Sequence, residues 1–334
     1  MENSNSFPLF CLPRIVIEEV MSTMTPFEMI NFSMTSSRFK FFVKSYLSYK
    51  QNSVYKRISF ATTEEPYVSI KGSEVSFQFR ITSEKKKNGR REYIEYMGRD
   101  KTERIWVYSE DVVDNWMKLV RTAKEIFTFN YHIFYFNLNK FPASNRSIVD
   151  FLKTQTESIE WCEFDGLTGS RTDVEYFFNN INVIRHVAIC MKLSDTFSFP
   201  QVDYAGSLEI AYGNWVTFNQ LLQFRSHYIT IYNSPITNRE LNMLLLHWMA
   251  SEYHQNLMYL TINIKDPQSL DTVFNLPYEI VNSDVERTGR LSNNTTISLQ
   301  GNIDIKRNDG MTGTIKLEWR LNELLLKMVI TRIQ

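Results

Sequence analysis

Between residues 130 and 278, short runs rich in β-branched and aromatic residues alternate with short amphipathic runs, and few architectures accept that alternation. Residues 131–138, 158–164, 183–191, 207–212, 228–232 and 257–264 read as strands. The runs 147–153, 172–180, 217–224, 237–250 and 266–275 read as helical, and the stretch after Met191 is irregular. A strand that rejoins its sheet after a helix runs parallel to its predecessor, so the pattern predicts parallel pairing through crossovers. The period of roughly 25 to 30 residues falls in the leucine-rich-repeat range without a strict L-x-x-L-x-L frame. The expected fold is therefore α/β (or α+β), with degenerate leucine-rich-repeat-like β/α units over 130–278 and a curved strand face.

Ahead of this region the period is two. Over 54–108, Val75, Phe77 and Phe79 alternate with Ser76, Gln78 and Arg80, and Asn88-Gly89 offers the positive-φ pair of a tight hairpin turn before Tyr93, Ile94 and Tyr96. An antiparallel β meander over 54–115 is expected. Lys85, Lys86, Lys87, Arg90 and Arg91 crowd its turn, and residues 80–104 carry nine basic against five acidic side chains. A solvated hairpin tip accounts for this better than a nucleic-acid surface, which would interleave aromatics and extend beyond one turn. The final 279–334 segment returns to strand-like runs, with Asn308, Asp309 and Gly310 as a C-terminal hairpin signal and 321–330 as a closing helix or strand.

Composition removes several function classes. The 37 basic and 37 acidic side chains cancel, so no overall field steers the chain to nucleic acid or an anionic membrane. No stretch approaches the about 18 uninterrupted apolar residues of a membrane span. Cys11, Cys162 and Cys190 are too scattered for a disulfide framework or zinc ribbon, and reduced thiols in cytoplasm or nucleus fit that usage. Each cysteine has apolar neighbours, the surroundings of a packed thiol and not of a nucleophile. His247 and His254 would share a helix face if the helix lasted that long, yet no third ligand follows. Eleven glycines include no phosphate-binding loop, and no nucleophile elbow is written. No metal or cofactor is expected.

The N-terminal segment is unusually apolar. Residues 7–47 hold 22 apolar residues among 41, about 54% against 43% overall. Pro13 suits a helix start, and Leu12, Val16, Val20 and Met24 recur at helical spacing, giving a helix over about 13–23. Thr25, Pro26, Phe27 and Glu28 form a capping-box pattern opening a second helix, and Ser36 or Ser37 caps a third containing Phe39, Phe42, Val43 and Tyr46. Three helices in about 40 residues bury too little surface to stand alone without metal, disulfide or partner. Either a partner covers the surplus, with Leu12, Pro13, Val16, Val20, Pro26, Phe27 and Ile30 as the docking face, or the helices pack on the following meander.

The run Phe7, Pro8, Leu9, Phe10, Cys11, Leu12, Pro13, Arg14, Ile15 and Val16, then Met24 to Ser33 with its Thr-Pro-Phe-Glu start, then Ser36, Ser37 and Arg38, resembles an F-box over 6–48. Around 215–277, Trp215, Leu221, Leu222, Ile229, Ile231, Ser234, Leu241, Asn242, Leu245 and Trp248 resemble the type 2 F-box-associated domain, with Ser251 where a glycine commonly follows the tryptophan. The resemblance implies a noncatalytic adaptor. Its F-box would dock a Skp-type linker subunit, and through it a cullin, while the region from about 60 onward recruits an unknown target protein for ubiquitination. Two other readings remain open: a protein-binding module with no ubiquitin ligase role, and weak nucleic-acid binding by the 85–91 hairpin.

Overall fold

Helix α1 (Arg14–Thr23) starts on the Pro13 carbonyl, which accepts from the Val16 and Ile17 N–H groups at 3.0 and 3.2 Å. Helix α2 (Pro26–Thr35) opens with the expected capping box: the Glu28 N–H donates to the Thr25 hydroxyl, and the Thr25 N–H donates to the Glu28 carboxylate at 2.7 Å. Helix α3 (Ser37–Tyr49) is capped by Ser36, whose hydroxyl accepts from the Phe39 N–H at 3.2 Å. The computed structural model describes residues 12–49, 55, 57–96, 100–199, 206–282, 286–290, 296–300, 303–320 and 322–332. Cys11, the Phe7–Phe10 end of the F-box-like run and the sequence at 200–205 lie outside the described residues. The chain divides into two units, Met1–Ile133 and Phe134–Gln334.

In the first unit, strands β1 (Arg57–Ala61), β2 (Tyr67–Lys71) and β3 (Val75–Thr82) pair antiparallel in sequence order. The meander stops there. Strand β4 (Arg91–Tyr96) pairs antiparallel with β5 (Asp100–Tyr108), and β5 lies parallel to β3, so the order is β1-β2-β3-β5-β4. The Asn88-Gly89 hairpin expected between β3 and β4 is therefore corrected. Gly89 has φ +76° but Asn88 has φ −58°, so the two left-handed residues of a tight turn are absent. A 3-10 turn at Lys85–Lys87 instead carries the chain across. Glu65 anchors it, accepting from the Lys87 ammonium at 2.8 Å and the Trp106 indole at 2.7 Å.

The expected meander runs to residue 115, but from Val112 the chain forms helix α4 (Val112–Ile126), capped by Asp111, whose carboxylate accepts from the Asp114 N–H at 2.9 Å. Its buried Trp116, Leu119, Val120, Ala123 and Ile126 form one face, and the Trp116 indole donates to the Tyr67 carbonyl at 3.0 Å. Helices α2 and α3 pack on α4, and α2 also packs on β3. Phe27 meets Phe79 and Phe77 edge-on at 4.5 and 5.6 Å. The partly apolar helices thus find most of their core within this unit.

Strand β6 (Tyr131–Asn137) leads into the second unit, where helices alternate with strands as expected: α5 (Asn145–Gln155), β7 (Ser158–Thr168), α6 (Arg171–Asn180), β8 (Asn182–Lys192), β9 (Ser207–Ile210), α7 (Phe218–Gln223), β10 (Tyr228–Ile231), α8 (Asn238–Met249) and β11 (Tyr259–Asn263). Strands β7 to β11 lie side by side in chain order, every neighbour parallel. After α9 (Leu270–Val273) come β12 (Glu279–Ile280), a separate β13 (Glu286–Arg290) and β14 (Thr296–Gln300) hairpin, then β15 (Ile303–Lys306), β16 (Met311–Arg320) and β17 (Glu323–Arg332). The Asn308-Asp309-Gly310 turn joins β15 to β16, with Gly310 at φ +87°. Strand β17 then pairs antiparallel with both β16 and β11, closing the ladder.

Helix α8 ends in a Schellman motif: the Glu252 N–H donates to the His247 carbonyl and the Ser251 N–H to the Trp248 carbonyl, each at 3.0 Å. Ser251 is the left-handed residue of that motif, at φ +59°, and its buried hydroxyl has no hydrogen-bond partner among the described residues. This is the position where a glycine is common in the family it resembles. Left-handed backbone costs a non-glycine residue about 1–2 kcal/mol, partly offset by the chain entropy that glycine adds to the unfolded state. Ser251→Gly is expected to stabilise the protein by about 1 kcal/mol in urea unfolding; a lower midpoint would contradict the strain.

Candidate functional site

The seven candidate docking residues split between two environments. Leu12, just ahead of α1, and Val16 and Val20 on it stand four residues apart, and Val16 and Val20 are 39% and 37% exposed. Pro13 is exposed beside them, and Leu12 is half-buried. Ile17 and Met21 take the adjoining side of α1 and are buried. Pro26, Phe27 and Ile30 are buried too, so their expected place on an outward face is corrected: they belong to the core formed by α2, α4 and β3. The capping box fixes where α2 begins, and Phe27 and Ile30 then fall three residues apart on its inward side. Three exposed apolar side chains escaped the sequence reading: Ile15 at 76%, Met34 at 57% and Phe41 at 69%. Composition marks them as apolar, but only the packing of the opposite faces shows which ones remain outside.

The cations of the basic turn face carboxylates or a ring of the same unit. Lys87 pairs with Glu65 at 2.8 Å and Glu84 at 2.5 Å, Lys86 with Glu84 at 3.3 Å, Arg91 with Glu103 at 3.7 Å, and Arg90 with Glu92. Lys85 lies over the Tyr108 ring at 5.3 Å. Burial opposes the charge on Glu65, but hydrogen bonds from Lys87 and Trp106 outweigh it and hold the carboxyl below its ordinary range.

In the second unit, side-chain amides tie successive loops together. Asn139 accepts from the Leu167 N–H at 2.8 Å and donates to the Thr168 carbonyl at 2.9 Å. Asn145 donates to the Leu138 carbonyl at 3.0 Å and to the Asp173 carboxylate at 2.9 Å. Asn233 donates to the Ala211 carbonyl at 3.0 Å, and Asn263 accepts from the Ser234 N–H at 2.7 Å and donates to the Ser234 carbonyl at 3.1 Å. These bonds satisfy the backbone groups left over where each strand turns into its loop. Gly166, at φ +142°, is required here, because a Cβ would come within 2.3 Å of the Asn139 amide oxygen.

The sheet has two unlike faces. Phe164, Val187, Ile189, Leu208, Ile210, Ile229, Ile231, Leu260 and Ile262 form a buried apolar face, against which Phe177 of α6 stacks edge-on to Phe164 at 4.9 Å. The parallel register sets three rows across the other face: Trp161, His186, Ser207, Tyr228 and Tyr259; then Glu163, Ala188, Glu209, Thr230 and Thr261; then Asp165 with Cys190. Trp161 and His186 stack at 3.7 Å. Beyond β11, Lys327 continues the middle row, but it pairs with Glu318 at 2.9 Å. The β13–β14 hairpin covers the far end, where Arg287 reaches Asp304 at 3.4 Å.

Leu241, Leu244, Leu245 and Trp248, the stripe on α8, are buried as their spacing demands, as are Trp215, Leu221, Ile229 and Ile231. They are scaffold. Helix α8 ends at Met249, so His247 and His254 do not share a helix face; His247 contacts the Glu252 carboxylate at 2.5 Å. No group of three or more metal-ligating side chains occurs among the described residues. A cleft of about 750 Å³ lies ahead of β10 and β11, lined by residues including Arg225, Ser226, Glu252 and His254. Burial raises the Cys162 thiol, and burial with Glu163, Glu209 and Asp165 nearby pushes Cys190 up to about 12, so both are protonated at neutral pH. No helix among the described residues is long and apolar enough to cross a membrane.

Residues 9–51 match the F-box domain, and residues 200–262 match the F-box associated domain of type 2. No curated protein matches the chain. No solved structure matches it either.

Burial also holds the His186 imidazole down to about 4, against an ordinary value near 6.5. Its contribution to stability is complete above pH 6.5. As the pH falls from there toward 4, the unfolded chain takes up the proton first, and up to about 1.4 kcal/mol is lost per pH unit. Urea midpoints measured from pH 7.5 to 4.5 should fall less steeply for His186→Phe than for the natural chain; equal slopes would contradict the buried neutral ring.

Proposed function

We propose that this protein is a substrate-recruiting adaptor of a Skp–cullin–F-box type ubiquitin ligase. The observation that carries the reading is the pair Val16 and Val20, which remains outward on α1 within the F-box match, beside half-buried Leu12 just ahead of the helix, while the adjoining side of the helix is sealed by Ile17 and Met21. An apolar stripe on a helix already committed to a core is a surface prepared for a partner. The partner is the Skp-type linker subunit, with a cullin beyond it, and Leu12, Pro13, Val16 and Val20 are the contact residues on α1.

The second unit is the target-holding part, a leucine-rich-repeat-like array whose parallel strands set side chains in rows across one face. In this reading the protein is noncatalytic. It raises the local concentration of a bound target near a ubiquitin-charged enzyme, so that a bimolecular encounter becomes effectively local. The cytoplasm or nucleus is the setting for such a complex.

A second reading rests on Pro26, Phe27 and Ile30: their burial shows that much of the N-terminal apolar surface needs no foreign chain, as in a binding module without a ligase role. The basic turn at 85–91 supports nucleic-acid binding poorly, because its cations face carboxylates or rings of the same unit.

Val16→Asp combined with Val20→Asp separates the first two readings. Each valine is worth up to about 1.5–3 kcal/mol when fully buried in an interface, so linker binding should weaken at least about tenfold. The fold, followed by far-ultraviolet circular dichroism, should be unchanged, because both positions are exposed. Undiminished co-purification with the linker subunit, or no binding by the natural chain, would defeat the adaptor reading.

A further inference from the structure

Strand β4 ends the order β1-β2-β3-β5-β4, paired on one side with β5 and, among the described residues, with no strand on the other. Hydrogen bonds at the far end of β5 fix which of its backbone groups are spent. The Trp106 N–H donates to the Arg90 carbonyl at 3.1 Å, and the Ser109 N–H, just past β5, donates to the Thr82 carbonyl of β3 at 2.9 Å. Backbone bonds alternate along a strand between its two sides, so the even-numbered residues of β5 serve β4 and the odd-numbered ones serve β3. Arg104 and Thr102 therefore exchange bonds with their register partners Glu92 and Ile94. This leaves the N–H and carbonyl groups of Arg91, Tyr93 and Glu95 pointing out of the sheet edge. All three residues are exposed, Tyr93 at 58%.

An open edge accepts another strand unless something blunts it, and the sequence of β4, Arg-Glu-Tyr-Ile-Glu-Tyr, holds neither proline nor lysine. Its charges select a neighbour instead. A second copy of β4, turned antiparallel about Tyr93, sets Tyr93 against Tyr93, Arg91 against Glu95 and Glu95 against Arg91. Each of these is a pair whose backbone groups already point outward, so each can exchange both of its hydrogen bonds. Both directly opposed charge pairs are of opposite sign, which favours the pairing. Sliding the copies by two residues one way opposes Glu92 to Glu92, and the other way carries Arg91 past the end of the strand. Hydrogen-bond parity and charge agree on one register. Glu95 is free to take part: although Lys101 stands opposite it on β5, it has no ion-pair or hydrogen-bond partner among the described residues. Arg91 holds only a 3.7 Å contact with Glu103.

We infer that two copies of this chain join edge to edge through β4, antiparallel about Tyr93, with Arg91 of each copy paired to Glu95 of the other. A two-fold contact uses the same patch on both copies, and this strand is complementary to itself. The inference does not rest on the adaptor reading. Where that reading also holds, the pair carries two target-holding units, and a target with two recognition segments is held by both at once.

Sedimentation equilibrium of the full chain at concentrations up to about 100 μM should show a reversible monomer–dimer equilibrium. Arg91→Glu sets two carboxylates opposite each other at both ends of the contact, and Glu95→Arg sets two guanidinium groups there. Each variant alone should dimerise about tenfold more weakly or worse. Mixed in equal amounts, the two should pair with each other about as well as the natural chain, because every opposed pair is again of opposite sign. Tyr93→Pro removes an N–H that β5 does not use and should abolish the dimer with the far-ultraviolet circular dichroism unchanged. A natural chain that stays monomeric, single charge variants that dimerise as well as it does, or a mixture no tighter than either variant alone overturns the inference. Capture of the linker subunit is measured on the same preparations. Linker capture by a monomeric chain defeats the edge contact and leaves the adaptor reading standing, while a dimer that captures no linker subunit does the reverse.

Discussion

The edge-on packing of Phe27 against Phe77 and Phe79 decides what the N-terminal helices can do. Alone, these helices are too small to bury their own apolar surface. By inserting Phe27, with Met29 and Ile30, into a core shared by α2, α4 and β3, the chain stabilises them from within. What remains outside is narrower and more specific than the composition of residues 7–47 suggests: Val16 and Val20 along α1 beside half-buried Leu12, with Ile15, Met34 and Phe41 elsewhere on the helices. A docking surface on a pre-formed helix avoids the ordering entropy that a disordered segment would lose on binding, so less apolar area is needed for a given affinity.

The second unit solves a different problem. Consecutive parallel strands must satisfy each strand-to-loop transition, and Asn139, Asn145, Asn233 and Asn263 do so by reaching into neighbouring loops. With the loops tied, the register between strands is held, and residues distant in sequence form rows. Rows turn isolated side chains into a surface. Glu163 and Glu209 are 46 residues apart along the chain and flank Ala188 across the sheet.

Much of this was legible beforehand, and the failures have physical causes. The capping box at Thr25 and the strand and helix runs from 131 to 264 follow local rules, and they appear where those rules put them. The β3–β5 pairing did not follow from the sequence, because alternation identifies strands but not neighbours, and Asn88-Gly89 imitates a hairpin that Glu65 prevents by capturing Lys87 and Trp106. Helix α4 takes residues 112–115 out of the expected meander, with Asp111 capping a face of Trp116, Leu119, Val120 and Ala123. Strand β17 could not be told from a helix because Leu324–Leu326 and Met328–Ile330 are buried between two neighbours, which erases the period. For the docking residues, spacing placed Val16 and Val20 on one stripe, but the inward turn of Phe27 and Ile30 depended on α4, which had not been seen.

Hydrogen–deuterium exchange on the intact protein, with and without a Skp-type linker subunit, tests the central claim most directly. In the free protein, amides around Phe27 and Ile30 on α2 should already be strongly protected and those of α1 less so; adding the linker subunit should slow exchange along α1 and leave the α2 core amides unchanged. Exchange along α1 that is already slow in the free protein and does not respond to the linker subunit would mean that the apolar stripe has no partner, and the account would be wrong.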